Sequence, residues 1–156
     1  MAKELSSWQS CFRETLFDDQ VALVTGGGTG IGLSISLELA SLGATVVIAS
    51  RDASKCEQVA KKHSFRGKGR IVAAPSTNIR KETDVVQLIE RILEQFGRLN
   101  LVVNNAGGQF VSPAEDISAG GFRAVLETNL MGTFLVCREA YNQYMADNGG
   151  SIVNIT

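Results

Sequence analysis

The 156 residues carry fifteen Lys plus Arg against sixteen Asp plus Glu, a net charge of -1, with 44% hydrophobic and 20% charged residues. That length fits one domain, and the composition excludes collagen, coiled coil and wholesale disorder. A near-neutral balance exerts no electrostatic pull toward nucleic acid or an anionic membrane, and no apolar run approaches the ~20 residues of a membrane span.

The chain opens with Leu5, Trp8, Phe12 and Leu16 at helical spacing. Glu4, Glu14, Asp18 and Asp19 count against a targeting presequence, so residues 1–19 are expected to form an arm packed on the domain surface. Cys11, Cys56 and Cys137 are odd in number and far apart. They argue against a disulfide framework or a zinc site, and for a reducing intracellular compartment.

Gln20–Thr25 is a short apolar run that stops at glycines and reads as a buried strand. Ile31, Leu33, Ile35, Leu37 and Leu39 then alternate with Gly, Ser and Glu, a period that normally means strand. A helix is expected instead, because parallel neighbours need a crossover of about a dozen residues. Ile31, Ile35, Leu39 and Leu42 would cover one face and Leu33, Leu37 and Ala40 another, with Gly43 as the stop. Ala44–Ser50 is a second strand, followed by a weaker helix through Cys56, Val59, Ala60 and His63, whose lone histidine reads as a solvated helix end. Ile71–Ala74 is the third strand, and Val85, Leu88, Ile89, Ile92, Leu93 and Phe96 mark a clear amphipathic helix. Leu99–Val103 is the fourth strand. Phe122, Val125, Leu126, Asn129, Leu130, Thr133, Cys137, Ala140, Tyr141 and Tyr144 form one long stripe, and Ser151–Ile155 is the fifth strand. Loops are expected at Ser64–Gly69 and Gly107–Gly121. Alternating strands and helices of this kind give an α/β fold with a doubly wound parallel sheet.

The strongest chemical signal is Thr25-Gly26-Gly27-Gly28-Thr29-Gly30-Ile31-Gly32, placed between the first strand and the first helix. Glycines permit a tight turn and close backbone approach, and the helix N-terminus offers free N–H groups to a pyrophosphate. Gly26, Gly30 and Gly32 fit G-x-x-x-G-x-G, whereas the G-x-G-x-x-G register and the P-loop pattern both fail. At the end of the second strand stand Ser50 and Arg51, with Asp52 only afterwards. Arg51 can fork onto a 2′-phosphate and Ser50 can donate to it, which favours NADP(H) over NAD. The plainer reading is a solvated Arg51 with Asp52 capping the next helix. Asn104-Asn105-Ala106-Gly107 brings small residues and amides to the end of a central strand, and Asn129 sits as a polar residue within the apolar stripe.

Taken in order, Thr-Gly-x-x-x-Gly-x-Gly, Asn-Asn-Ala-Gly, the helix Asn129 and the strand Ser151–Ile155 resemble the short-chain dehydrogenase/reductases from about Gln20 to Thr156. VVIASR, NNAGGQFVSPAEDIS, VLETNLMGTF and Asn78-Ile79-Arg80 are similar to the peroxisomal trans-2-enoyl-CoA reductases within that family. The resemblance implies a Rossmann-type sheet of five strands in order 3-2-1-4-5, an arm over 1–19 and an NADP-binding domain over 20–156. It implies that Gly26, Gly30 and Gly32 hold the pyrophosphate, Ser50 and Arg51 the 2′-phosphate, and Asn78 the adenine, with Thr25, Thr29, Ile31 and Ile79 also among the cofactor-binding residues. Asn105, Ala106 and Gly107 would line the ribose and nicotinamide, and Asn129 would order a proton-relay water as the one catalytic residue. No metal is expected.

The implied parent enzyme reduces a trans-2-enoyl-CoA thioester with NADPH, as a homo-oligomer in a peroxisome or cytoplasm. Reduction of a 2,4-dienoyl-CoA or a 3-oxoacyl thioester is the second reading, and a non-catalytic dinucleotide-binding fragment the third. The family's Tyr-x-x-x-Lys is not matched, since Met145 follows Tyr141 and Asn148 follows Tyr144 at that spacing. The sequence therefore looks like the cofactor-binding portion of a longer enzyme.

Overall fold

The computed structural model describes residues 11–63, 65 and 68–156. Five parallel strands stand in the order β3-β2-β1-β4-β5. They are β1 Val21–Thr25, β2 Thr45–Ala49, β3 Arg70–Ala73, β4 Leu101–Asn104 and β5 Ser151–Asn154. The expected sheet and its order are both present. Every residue of β1 is buried, as a central strand covered on both faces requires. One side of the sheet packs on α3 (Glu82–Phe96) and α5 (Thr133–Ala140) through Leu23, Val47, Val85, Ile89, Val102 and Val136. The other packs on α1 (Gly30–Ser41) and α2 (Ala53–Lys62) through Ala22, Val24, Val46, Ile48 and Cys56.

The strictly alternating segment is the helix α1, but its buried face is not the aliphatic one. Gly32, Ser36 and Ala40 are buried, whereas Ile31 is 65% exposed. The small residues recur every fourth position and let the helix axis approach the sheet closely. A Cβ on Gly32 would lie 2.4 Å from the Gly26 carbonyl oxygen. Leu33, Ile35, Leu37 and Leu39 flank that contact half-buried.

The long stripe also needs correction. Phe122, Leu126, Leu130 and Tyr141 are exposed, while Leu135, Val136 and Met145, which lie off the stripe, are buried. The segment 119–148 runs as α4 (Ala119–Leu126), a π segment (Glu127–Gly132), α5, a second π segment (Tyr141–Met145) and α6 (Ala146–Asn148). Each extra residue in a π turn rotates the following face by about 100°, so no single 3.6-residue stripe survives the length. The helical part begins at Ala119, capped by the Ser118 hydroxyl, which accepts from Gly121 N at 3.1 Å. The expected loop over Gly107–Gly121 is thus shorter by a turn.

Leu5 and Trp8 lie outside the described residues, as do Ser64, Arg66 and Gly67 of the other loop. Phe12 and Leu16 face outward, and Phe17 instead anchors the arm: it packs beside α1, and its N–H donates to Leu42 O at 2.8 Å. His63 is the C-cap residue of α2; burial, then the neighbouring Lys62, lowers its pKa below the ordinary value.

Candidate functional site

Chain connection runs outward from β1 in both directions, toward β2 and β3 on one side and β4 and β5 on the other. A crevice opens at such a switch point, beyond the carboxyl ends of the strands. Thr25, Ala49 and Asn104 end β1, β2 and β4 as register partners. A cleft of about 150 Å³ lies there, lined among others by Gly26, Ser50, Arg51, Asn78, Ala106 and Thr128.

The glycine turn is fixed from several sides. Gly26 takes φ +68° and Gly30 φ +53°, conformations that disfavour a side chain. A Cβ on Gly30 would meet no protein atom within 4 Å, so it would project into the open space a ligand needs. Thr29 is the N-cap of α1, yet its side chain makes no cap hydrogen bond. The first-turn N–H groups of α1 therefore keep their capacity for an anion. Thr29, Gly30 and Ile31 are all exposed at this edge.

Thr25 has a different role from the expected one. It is 1% exposed, and its hydroxyl accepts from Asn105 N at 3.1 Å and Ala106 N at 3.0 Å. It braces the turn after β4 from beneath and presents no surface to a ligand. Asn105 Nδ2 completes the brace by donating to Thr25 O at 3.0 Å and Gly26 O at 3.3 Å. The two ligand-facing turns are thereby tied into one rigid unit. Asn104 points to the other face, as adjacent strand residues must. Its Nδ2 donates to Asn154 Oδ1 at 2.9 Å and meets Cys137 Sγ at 3.2 Å, which joins β4 to β5 and to α5.

At the far side of the cleft, Ser50 and Arg51 leave the end of β2. Asp52 is committed elsewhere: its carboxylate caps α2 by accepting from Lys55 N at 3.2 Å, and it also accepts from Ser54 Oγ at 2.6 Å. The Ser54 hydroxyl first, then the Lys55 N–H, hold that carboxyl below its usual pKa. Arg51 is exposed and forms no ion pair among the described residues. The expected Asp52 cap is present, and Arg51 stands at the cleft rim.

Asn78 Oδ1 accepts from Arg80 N at 3.2 Å, and Asn78 N donates to Asp84 Oδ2 at 3.0 Å, so the loop after β3 is pinned to the start of α3. Ile79 is buried against Gly132. Arg80 pairs with Glu127, linking this loop to the π segment. Asn129 lies in that segment, exposed rather than buried, and both ends of its amide are engaged. Oδ1 accepts from Gly108 N at 2.9 Å and Nδ2 donates to Gly108 O at 3.0 Å. The side chain fixes the turn after Gly107, where a Cβ would come 3.2 Å from Asn129 Oδ1. Two hydrogen bonds to backbone imply that Asn129→Ala lowers stability by about 1–2 kcal/mol. Urea unfolding of the variant checks this, with a shifted midpoint at unchanged slope as the expected result.

Sequence reasoning did not single out Thr77 or Cys56. Thr77 N donates to Ser50 O at 2.9 Å and so ties the end of β2 to the loop after β3. Cys56 is wholly buried beneath Ser50. Neither carries a motif; the folded sheet brings Thr77 to the cleft and packs Cys56 behind Ser50.

Residues 20–156 match the family model described as short chain dehydrogenase. The chain belongs to the short-chain dehydrogenase/reductase family. It is 37% identical over 152 residues to a protein of Danio rerio named peroxisomal 2,4-dienoyl-CoA reductase, covering 97% of this chain and 50% of that one. The protein of the same name in Rattus norvegicus is 35% identical, with 97% and 52% covered. Among solved structures, the citronellol catabolism dehydrogenase (AtuB) of Pseudomonas aeruginosa PAO1 superposes with a TM-score of 0.83 at 45% identity, over 94% of this chain and 59% of that one. The chain spans about half the length of the curated relatives it matches. As a short-chain dehydrogenase/reductase it is an oxidoreductase family member with a dinucleotide-type fold. No described helix is long and apolar enough to cross a membrane.

Proposed function

We propose that this chain is the NADPH-binding part of a reductase acting on an unsaturated acyl-CoA thioester. The observation that carries the cofactor choice is the commitment of Asp52 to the α2 cap while Ser50 and Arg51 line the cleft. An NAD site sets an acidic side chain on the ribose 2′-hydroxyl, whereas an NADP site needs a cation there. Bound NADPH supplies a hydride. The α1 N-terminus and Gly30 receive the pyrophosphate, Asn78 faces the adenine end, and the Asn105–Gly107 turn lines the nicotinamide side. Titration of the chain with NADPH and NADH tests this reading; a single weak and equal affinity would refute it.

For the substrate, the names of the curated relatives support a 2,4-dienoyl-CoA thioester. The stretch NNAGGQFVSPAEDIS supports a trans-2-enoyl-CoA thioester as the second reading. The same names support a peroxisomal setting. Saturating a conjugated double bond needs a proton as well as a hydride, and a positioned acid must deliver it. Asn129 cannot titrate, and neither Tyr141 nor Tyr144 has Lys four residues on. The 156 residues are therefore expected to bind cofactor without turnover. Incubation with NADPH and either crotonyl-CoA or a 2,4-dienoyl-CoA, followed by absorbance loss, checks this. Sustained turnover above the buffer control would relocate the active site to residues given no catalytic role above.

Self-association is part of the same proposal. Phe122, Leu126, Leu130, Phe134 and Tyr141 are exposed along one helical segment, and β5 exposes Ile152 and Val153 at the sheet edge. Apolar surface and an unpaired edge both favour association. Light scattering after gel filtration is expected to show species larger than 16.7 kDa.

A further inference from the structure

We propose that Glu127 is a positioning residue that limits the selection of NADPH by holding Arg80 back from the 2′-phosphate; this rests on the NADPH reading above. Two cations line the cleft, Arg51 and Arg80, and no acidic side chain lines it. Arg51 has no ion pair among the described residues, whereas Arg80 is paired with Glu127, next in sequence to the cleft residue Thr128. Arg80 starts from a fixed place beside the ribose corner. Ser76 Oγ donates to Arg51 O at 2.8 Å and Thr77 N donates to Ser50 O at 2.9 Å, which ties the loop after β3 to the end of β2. Asn78 Oδ1 accepts from Arg80 N at 3.2 Å and pins the backbone there. The guanidinium alone is left to exchange partners.

Competition between two anions gives the pair its effect. A phosphate monoester carries more charge than a carboxylate and takes the same bidentate fork from Arg. To reach it, Arg80 must give up Glu127. The free state holds that ion pair and the bound state does not, so the pair is subtracted from the affinity for NADPH. The two side chains are 36% and 40% exposed, which makes the pair a weak one. Its removal therefore raises the affinity by a small and bounded factor, about two- to fivefold for an exposed pair. NADH has no 2′-phosphate to draw Arg80 from Glu127, so its affinity does not depend on the pair. Arg51 supplies the basal preference for NADPH, and Glu127 keeps the second cation from adding to it in full.

Glu127→Gln keeps the shape of the side chain and removes its charge. Affinities for NADPH and NADH are measured by calorimetry at low salt for the unmodified chain, Glu127→Gln, Arg80→Ala and the double variant, with far-ultraviolet circular dichroism and thermal unfolding as fold controls. The expected result is a gain of NADPH affinity by about two- to fivefold in Glu127→Gln, with NADH affinity unchanged. A damaged fold does not produce a gain for one cofactor alone. The gain is expected to vanish when Glu127→Gln is made in the Arg80→Ala background, because Arg80 is then absent from both states. If Glu127→Gln fails to fold, Glu127→Ala replaces it, with the same affinity ratio as the readout. No gain in the folded variant, an equal gain for both cofactors, or a gain that persists in full without Arg80 overturns the proposal while leaving the NADPH reading intact. Equal affinities in the unmodified chain overturn both.

Discussion

Gly32→Ala is expected to lose dinucleotide binding and to destabilise the fold strongly, whereas Gly30→Ala loses binding at a smaller cost in stability. The two glycines are two residues apart in one motif and differ in what surrounds them. At Gly32 a Cβ would lie 2.4 Å from both Gly26 O and Asn105 Nδ2. Neither neighbour can yield cheaply. Gly26 O belongs to the turn backbone, and Asn105 Nδ2 is held by its bonds to Thr25 O and Gly26 O. Overpacking against flexible side chains typically costs about 1–3 kcal/mol, and a rigid backbone neighbour puts the cost at or above the top of that range. About 3 kcal/mol is a large share of the roughly 5–15 kcal/mol that holds a domain together. A fall in Tm of about 6–12 °C follows for a chain of this size. At Gly30 no protein atom stands within 4 Å, and the cost is conformational, from φ +53°. That is about 1–2 kcal/mol for an L-residue in the left-handed region. Its Cβ would occupy the space above the α1 N-terminus, so affinity falls by far more than stability. Thermal unfolding beside NADPH titration separates the two. Equal Tm values for Gly30→Ala and Gly32→Ala would remove the close packing of α1 on the Gly26 turn as the reason for Gly32.

The sheet was legible because its strands are continuous apolar runs bounded by glycine, a pattern that only two-sided burial explains. Crossover length then settled α1 against its own period-two alternation. What failed was the assumption that buried faces are built from large side chains. Gly32, Ser36 and Ala40 are the buried face of α1, and a hydrophobicity count passes over Gly32 and Ser36. The helical segment through Asn129 failed for another reason. Its two π segments break the period on which stripe reading rests. Within the site, the glycines, Ser50, Arg51 and Asn78 belong to contiguous motifs and were accessible to sequence reasoning. Thr25 reads from its motif as a ligand contact, whereas its hydroxyl faces Asn105 and Ala106, contacts made across eighty residues of chain. Thr77 reaches the cleft only through tertiary packing. The family match leaves these assignments at the level of position; geometry distinguishes residues that face a ligand from those that brace the ones that do.

Arg51→Ala is expected to reduce the preference for NADPH over NADH to within a few-fold of unity. Arg51 stands exposed at the cleft rim, with no acidic partner among the described residues. A guanidinium without a carboxylate partner gives up no ion pair when it binds a phosphate. A charge-assisted contact contributes about 1.5–3 kcal/mol, or roughly ten- to a hundredfold in affinity. Exposure places the effect toward the lower end at physiological salt, where the Debye length is about 8 Å. Two controls follow from the same physics. Arg51→Lys keeps the charge but not the bidentate fork, so it retains part of the preference. Raising the salt concentration narrows the NADPH to NADH ratio in the unmodified chain and leaves the Arg51→Ala ratio almost flat. Affinity for NADH is unchanged by the Arg51 substitutions, because that cofactor presents a neutral ribose hydroxyl to this corner. A preference that survives Arg51→Ala undiminished would assign the selection to another cation, and Arg80, which also lines the cleft, would be the next to replace. Arg80 is already paired with Glu127. Recruiting it would break that pair, so its contribution would be smaller than that of the free Arg51.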